Sequence, residues 1–225
     1  VGRAQLARWH AGVFVGHIAD LDGSGYGRVV RAVAPSRVPA AVPGNLGAFL
    51  AGRLARSYDL RGPVLAVDTA CSSSLVALHL ACRAIRDGEC DVALSGAVRV
   101  AVLPRPGELG IESPSGSLRP FDLDADGTVD GEGGAVLLLA PLALAEQAGL
   151  PIHAVIRGTA VAHDGTSASL TAPNPDGQTR AIVAAWRGAD IAPDDLAFVE
   201  THGTGTLVGD PLEVAGPATS SGSPT

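Results

Sequence analysis

The sequence predicts an α/β fold whose sheets are covered by helices on both faces. Two observations point there. The candidate strands are near-continuous apolar runs such as "AGVFVG" and "GGAVLLL", the pattern of strands buried on both faces. They alternate with segments of helical period, and that alternation builds layered α/β domains. With 225 residues, 46% of them hydrophobic, and a mean hydropathy of +0.27, the chain carries enough apolar material for a packed core.

The elements follow in chain order. "AGVFVGHIAD" (11–20) reads as a buried strand leading into the loop "LDGSGYG". The glycines of "GSGYG" lack the spacing of a dinucleotide fingerprint. In "GNLGAFLAGRLARSYDL" (44–60), Leu46, Phe49, Leu50 and Leu54 recur at helical spacing with arginines between them. "RGPVLAVDTA" (61–70) opens on turn residues and then runs apolar, which predicts a strand over Val64–Thr69. Leu75, Leu78, Cys82 and Ile85 then recur every three or four residues, and Val76, Leu80 and Ala81 fill the other side, so a core helix follows. Gly88 is placed to stop it. Strands are expected over 90–102, 133–142, 152–162 and 196–202, with a helix at Gln178–Arg187 between the last two. The final stretch "GPATSSGSPT" has no large apolar residue and reads as a flexible tail, so packing should stop near Ala215. The expected division is 1–149, 150–215 and a tail of 216–225.

Composition removes several function classes. A formal net charge of -7 argues against a nucleic-acid surface. All 16 basic residues are arginine, which removes Schiff-base chemistry and a phosphate-loop lysine. Three cysteines at spacings of 11 and 8 suit neither a disulfide framework nor a zinc site. A reducing cytoplasm is the expected location, with no signal peptide and no apolar run of about 18 residues to span a membrane. The chain has no methionine, so Val1 reads as an internal start or an alternative initiation codon. "DLDADGTVDGEG" from Asp122 fits a calcium-binding loop at positions 1, 3, 5, 6 and 9 but puts Gly133 where the bidentate glutamate belongs. It is read as a decoy, and no metal is expected.

Two stretches carry chemistry. In "VDTACSSSLVALHLA", Cys71 stands where a strand turns into a helix. Unpaired backbone N–H groups and the positive end of the helix dipole favour a thiolate at such a position, and a sharp strand-to-helix turn lifts the side chain out of the sheet. A cysteine packed at that corner as a small apolar residue is the alternative reading. In "VETHGTGTLVGDPLEV" (199–214), His202 ends an apolar strand, glycines follow it, and Asp210 and Pro211 look like the cap and first residue of a helix. The other five histidines are read as structural.

Together "DTACSSS" and "ETHGTGT…GDP" resemble the β-ketoacyl synthase (ketosynthase) family, and within it the ketosynthase domains of modular polyketide synthases. "FDLDADGTVDGEGGAVLLL" and "VIRGTAVAHDGTSASLTAPNPDGQTRAI" are also similar to internal segments of that family, the latter to the subset served by a separate acyltransferase. The resemblance covers nearly all of residues 11–214 and implies a thiolase-like, layered αβαβα fold. It implies that Cys71 accepts an acyl chain from a carrier-protein thioester and that His202 assists decarboxylation of a malonyl-type extender. It also implies that Thr204 and Thr206 hydrogen-bond a phosphopantetheine arm. The acyl carrier protein would be the partner and would bring that arm, the chain holding no cofactor of its own, and the full-length parent would be a homodimer. The family's second catalytic histidine belongs to a later "NxGH" segment, and the opening Gly-rich strand is missing too, so relative to the family the chain reads as cut at both ends. Condensation is then expected to be incomplete and stability marginal, because the strands at 152–162 and 196–202 would lack covering layers. The alternative is a non-catalytic ketosynthase remnant that binds carrier protein as a docking element.

Overall fold

The structure is a computed structural model describing residues 2–18, 25–100 and 110–220. It forms two compact units, one of residues 1–104 and 132–155, the second of 105–131 and 156–225.

The first unit is built on a four-stranded mixed sheet. A short helix α1 (Arg3–Leu6) leads into β1 (Ala11–Gly16). Helices α2 (Gly25–Val33), α3 (Val38–Asn45) and α4 (Ala48–Tyr58) precede β2 (Val64–Val67). Helix α5 (Ser73–Arg86), β3 (Val92–Arg99), β4 (Gly133–Leu139) and α6 (Leu142–Gln147) complete it. The strand order is β2-β1-β3-β4, with β1 parallel to β2 and β3, and β4 antiparallel to β3.

Alternation along β1 sorts its side chains between two cores. Val13 and Val15 join Ala51, Ala55, Leu60 and Val92 on one face, where α4 covers the sheet. Phe14 points the other way, into Ala77, Ala81, Ala84 and Ala93, so α5 covers the second face. Alanines at 77, 81 and 84 keep the near side of α5 thin and let the helix settle on the sheet. Every residue of β1 is buried, as the apolar run predicts for a central strand. The flanking strands differ from that prediction. Leu65 of β2 and Val136 and Leu137 of β4 are exposed, because an edge strand has a neighbour on one side only.

Several boundaries differ from the sequence reading. Gly25–Gly27, expected in a loop, open α2, while residues 19–24 of that loop lie outside the described residues. The helix expected over 44–60 is broken at Leu46, whose extended backbone (ψ 125°) separates α3 from α4. Gly88 does terminate α5: at φ 75° it lets the Glu89 N–H reach the Ala84 carbonyl at 2.9 Å, while its own N–H donates to Ile85.

The second unit contains α7 (Pro175–Ala189) and α8 (Gly209–Ser220), packed together. Asn174 caps α7 by accepting the Asp176 N–H at 3.0 Å. Thr179 Oγ1 donates to the Gly216 carbonyl at 2.9 Å and ties α7 to α8. The strands expected over 152–162 and 196–202 do not form. A ladder needs a partner for its N–H and C=O groups, and no described segment pairs with either stretch. Their apolar side chains Val155, Val161, Phe198 and Val199 stand exposed. The tail begins later than expected, since α8 continues through Ser220, five residues past Ala215. Residues 221–225 lie outside the described residues.

Candidate active site

Cys71 sits in a single 3₁₀ turn, Ala70–Ser72, between β2 and α5. The turn is pinned from several sides. Ser73 is buried, accepts the Thr69 N–H at 2.9 Å and donates to the Ala70 carbonyl at 2.6 Å. Ser72 Oγ lies 2.9 Å from the Thr69 carbonyl and 3.0 Å from Thr69 Oγ1. Asp68 accepts the Ala70 N–H at 3.1 Å. Ala70 is held at φ 54°, a conformation that costs an L-residue about 1 kcal/mol or more and persists only when its surroundings enforce it. The outcome is a strained corner that presents the Cys71 side chain to solvent at the start of a 14-residue helix.

Gly16, which the sequence reading passed over, makes that corner possible. A Cβ on Gly16 would lie 2.7 Å from both Ser73 C and Ser74 N, so only glycine lets α5 begin this close to the end of β1.

The other two cysteines contrast with Cys71. Burial pushes the thiols of Cys82 and Cys90 up from the ordinary cysteine range. Both therefore hold less thiolate at neutral pH, and Cys90 is covered as well. At pH 7.5, iodoacetamide should modify Cys71 at least about tenfold faster than either, read by peptide mapping. Faster labelling of Cys90 would contradict this packing.

His202, Thr204 and Thr206 share one loop in the second unit, ahead of α8. Its shape is set by two carboxylates on the first turns of that helix. Glu213 accepts the backbone N–H groups of His202 and of Gly203, the latter at 2.9 Å. Asp210, buried, accepts the Gly205 N–H at 3.0 Å and the Phe121 N–H at 2.7 Å. Gly203 and Gly205 take positive φ, 54° and 68°. Thr204 Oγ1 and Thr206 Oγ1 are 3.0 Å apart, and Thr206 Oγ1 also accepts the Gly209 N–H at 3.0 Å.

This corrects the reading of Asp210 as a helix cap. The helix starts at Gly209, Thr206 serves its first N–H, and Asp210 turns back to hold the preceding loop. Glu213 was missed altogether. The signal that could have found it is the i, i+3 spacing of Asp210 and Glu213, which places both acids on one helix face.

The acidic loop read as a calcium decoy is organised by its own hydrogen bonds. The Ser113 hydroxyl first, and Ser115 with it, donate to Asp126 and hold that carboxyl below its usual range. Asp122 accepts the Asp124 N–H at 2.9 Å. Among the described residues no group of three His, Cys, Asp or Glu side chains could hold a metal ion, and no helix is long and apolar enough to cross a membrane.

Known proteins are similar to the chain in sequence and fold. Residues 2–145 match the family model "Beta-ketoacyl synthase, N-terminal domain", and residues 153–224 match "Beta-ketoacyl synthase, C-terminal domain". The polyketide synthase ThaG of Burkholderia thailandensis is 47% identical over 219 residues, covering 95% of this chain and 4% of that protein. The polyketide synthase GfsA of Streptomyces halstedii is 48% identical over 175 residues, covering 76% of this chain and 2% of its own length. Among solved structures, the oxazolomycin ketosynthase domain OzmH KS7 of Streptomyces albus JA3453 superposes with a TM-score of 0.87 at 38% identity, over 99% of this chain and 38% of that one. The ketosynthase from module 6 of the bacillaene synthase of Bacillus subtilis 168 gives 0.86 at 33% identity, over 98% of this chain and again 38% of its own. The chain thus spans a small part of these curated relatives and under half of the two solved domains. With an α/β architecture of ketosynthase type and family matches on both sides of residue 150, the chain belongs to the β-ketoacyl synthase family of acyltransferases.

Proposed function

We propose that the chain carries the acyl-accepting part of a polyketide ketosynthase, with Cys71 as nucleophile. The observation that carries this reading is the exposed Cys71 thiol on a strained, hydrogen-bonded turn at the start of α5. The sulfur adds to the carbonyl carbon of a carrier-bound acyl thioester, and the carbonyl π electrons move onto oxygen. Backbone N–H groups at a helix start stabilise that oxyanion. Collapse breaks the bond to the carrier's pantetheine sulfur, which leaves as thiolate and takes up the proton that Cys71 released.

The remaining roles follow from the same reading. A neutral His202 imidazole N–H would stabilise the thioester enolate formed when a malonyl-type extender loses CO2 ahead of Claisen attack on the acyl-cysteine. Glu213 would be a positioning residue, because it holds the His202 backbone and not its ring. The Thr204 and Thr206 hydroxyls each keep donor or acceptor capacity beyond their mutual bond, which suits the amides of a phosphopantetheine arm. The partner is then an acyl carrier protein, the working form is the homodimer of a longer synthase, and three free thiols suit the reducing cytoplasm.

The test is intact-protein mass after incubation with an acyl thioester. One acyl adduct is expected on the native chain and none on Cys71→Ala. An adduct of equal yield on Cys71→Ala would overturn the assignment.

A further inference from the structure

Phe121 holds a backbone conformation ill-suited to its side chain. The Asp122 N–H donates to the Arg119 carbonyl at 3.4 Å and closes a turn with Pro120 second and Phe121 third. Phe121 takes φ 61°, so this is the type II pattern, whose third position ordinarily goes to glycine. A bulky L-residue rarely adopts that φ and keeps it only where its surroundings enforce it. Here the buried Asp210 enforces it by accepting the Phe121 N–H at 2.7 Å. Core packing gives no reason for an aromatic at this position, since Phe121 is 46% exposed.

What the ring touches is the His202 loop. A Cβ built on Gly203 would lie 3.4 Å from Pro120 Cβ and 3.6 Å from Phe121 Cε2, so an α-hydrogen of Gly203 faces the ring edge. Glu213 accepts the Gly203 N–H at 2.9 Å. The two contacts grip residue 203 through different atoms, its N–H and its Cα, directly after the histidine. Two residues on, the Gly127 N–H donates to the Gly205 carbonyl at 3.0 Å, so the same segment clasps the loop again. The direction of the His202 side chain follows from the peptide that this grip fixes. A misplacement of about 1 Å can cost a reaction about a hundredfold.

We infer that Phe121 is a positioning residue for His202, held in a strained turn so that its ring backs the His202–Gly203 peptide. The inference rests on the function proposed above, in which His202 stabilises the enolate of a malonyl thioester. In that step the C–CO2 bond breaks, its electron pair forms the enolate and CO2 leaves. Water then protonates the carbon to give the acetyl thioester.

The test follows CO2 release from malonyl pantetheine by the full chain. Phe121→Gly and Phe121→Asn supply residues at ease with positive φ but remove the ring, so both should keep the urea midpoint. Their kcat should fall at least about tenfold, with KM within about threefold of the native value. Phe121→Tyr, which restores the ring, should return kcat to within about threefold. Leu123 is fully exposed on the same segment, and Leu123→Ala should leave the rate unchanged. Stable ringless chains that decarboxylate at the native rate would overturn the inference. So would a rate loss that Phe121→Tyr does not restore, or a fallen urea midpoint in both ringless variants, which would make the ring a matter of stability. Native CO2 release no faster than that of His202→Ala contradicts the role proposed for His202. Positioning is then read by NMR: the Gly203 α-proton and His202 ring resonances should move in Phe121→Gly and return in Phe121→Tyr. Unmoved His202 resonances would overturn it.

Discussion

Gly16→Ala should destabilise the first unit by about 3 kcal/mol, the upper part of the range for overpacking a fitted core. The added methyl would sit 2.7 Å from two backbone atoms, Ser73 C and Ser74 N, and neither can rotate away as a side chain tip could. Relief requires α5 to move off β1, which disturbs the contact of Phe14 with Ala77 and Ala81. It also pulls on the bonds of the Ser73 hydroxyl to the Thr69 N–H and the Ala70 carbonyl that pin the turn. The variant should therefore lose both stability, read as the urea midpoint, and the selective labelling of Cys71. Gly52→Ala is the matched control: Gly52 lies inside α4 with nothing within 4 Å of a built Cβ. Helix propensity and a less flexible unfolded chain should make it more stable by about 0.5–1 kcal/mol. A Gly16→Ala chain as stable as the native one would show that the turn does not depend on this close approach.

Asp210→Ala carries the second large effect. It removes a buried carboxylate and leaves the N–H groups of Gly205 and Phe121 without their acceptor. The Gly205 bond is buried while that of the exposed Phe121 is only part-buried, and an unsatisfied buried donor costs about 1–3 kcal/mol, so a loss of about 2 kcal/mol within the second unit is expected. Asp210→Asn keeps one carbonyl oxygen but turns an NH2 toward the other donor, and should lose roughly half as much. The local readout is amide hydrogen exchange across 202–206, which should speed up in Asp210→Ala and less so in Asp210→Asn. Unchanged protection there would mean that the loop is held by something other than the carboxylate.

What could be read from the sequence was what depends on local pattern. The apolar run of β1 and the glycine after α5 each act over a few residues, and each came out as expected. The helical period from Leu75 to Ile85 did mark a helix, but the face it buries is that of Ala77, Ala81 and Ala84, and Leu75 is 69% exposed. The strand-to-helix placement of Cys71 was legible for the same reason. What depends on tertiary partners was not. The segments 152–162 and 196–202 have strand-like composition, yet composition cannot supply a neighbouring strand, and they remain unpaired. The role of Gly16 was hidden because it needs the start of α5, over fifty residues away, to be placed against it. Glu213 and Asp210 were hidden because an acid near a helix start has two outlets, its own helix or the loop behind it, and only the fold decides between them. The helical course of Gly216–Ser220 was likewise obscured, since small residues give no apolar period and the tie to Thr179 of α7 is a tertiary one.

The central claim is that the turn before α5 makes Cys71, alone among three thiols, an acyl acceptor. Site mapping of the acyl adduct tests it most directly. After brief incubation with an acyl thioester at neutral pH, the chain is digested and the acyl mass located by tandem mass spectrometry. The account predicts the acyl group on the peptide containing Cys71, with Cys82 and Cys90 unmodified. Acylation of Cys82 or Cys90 at a yield matching that of Cys71, or no adduct on a folded chain, would contradict it.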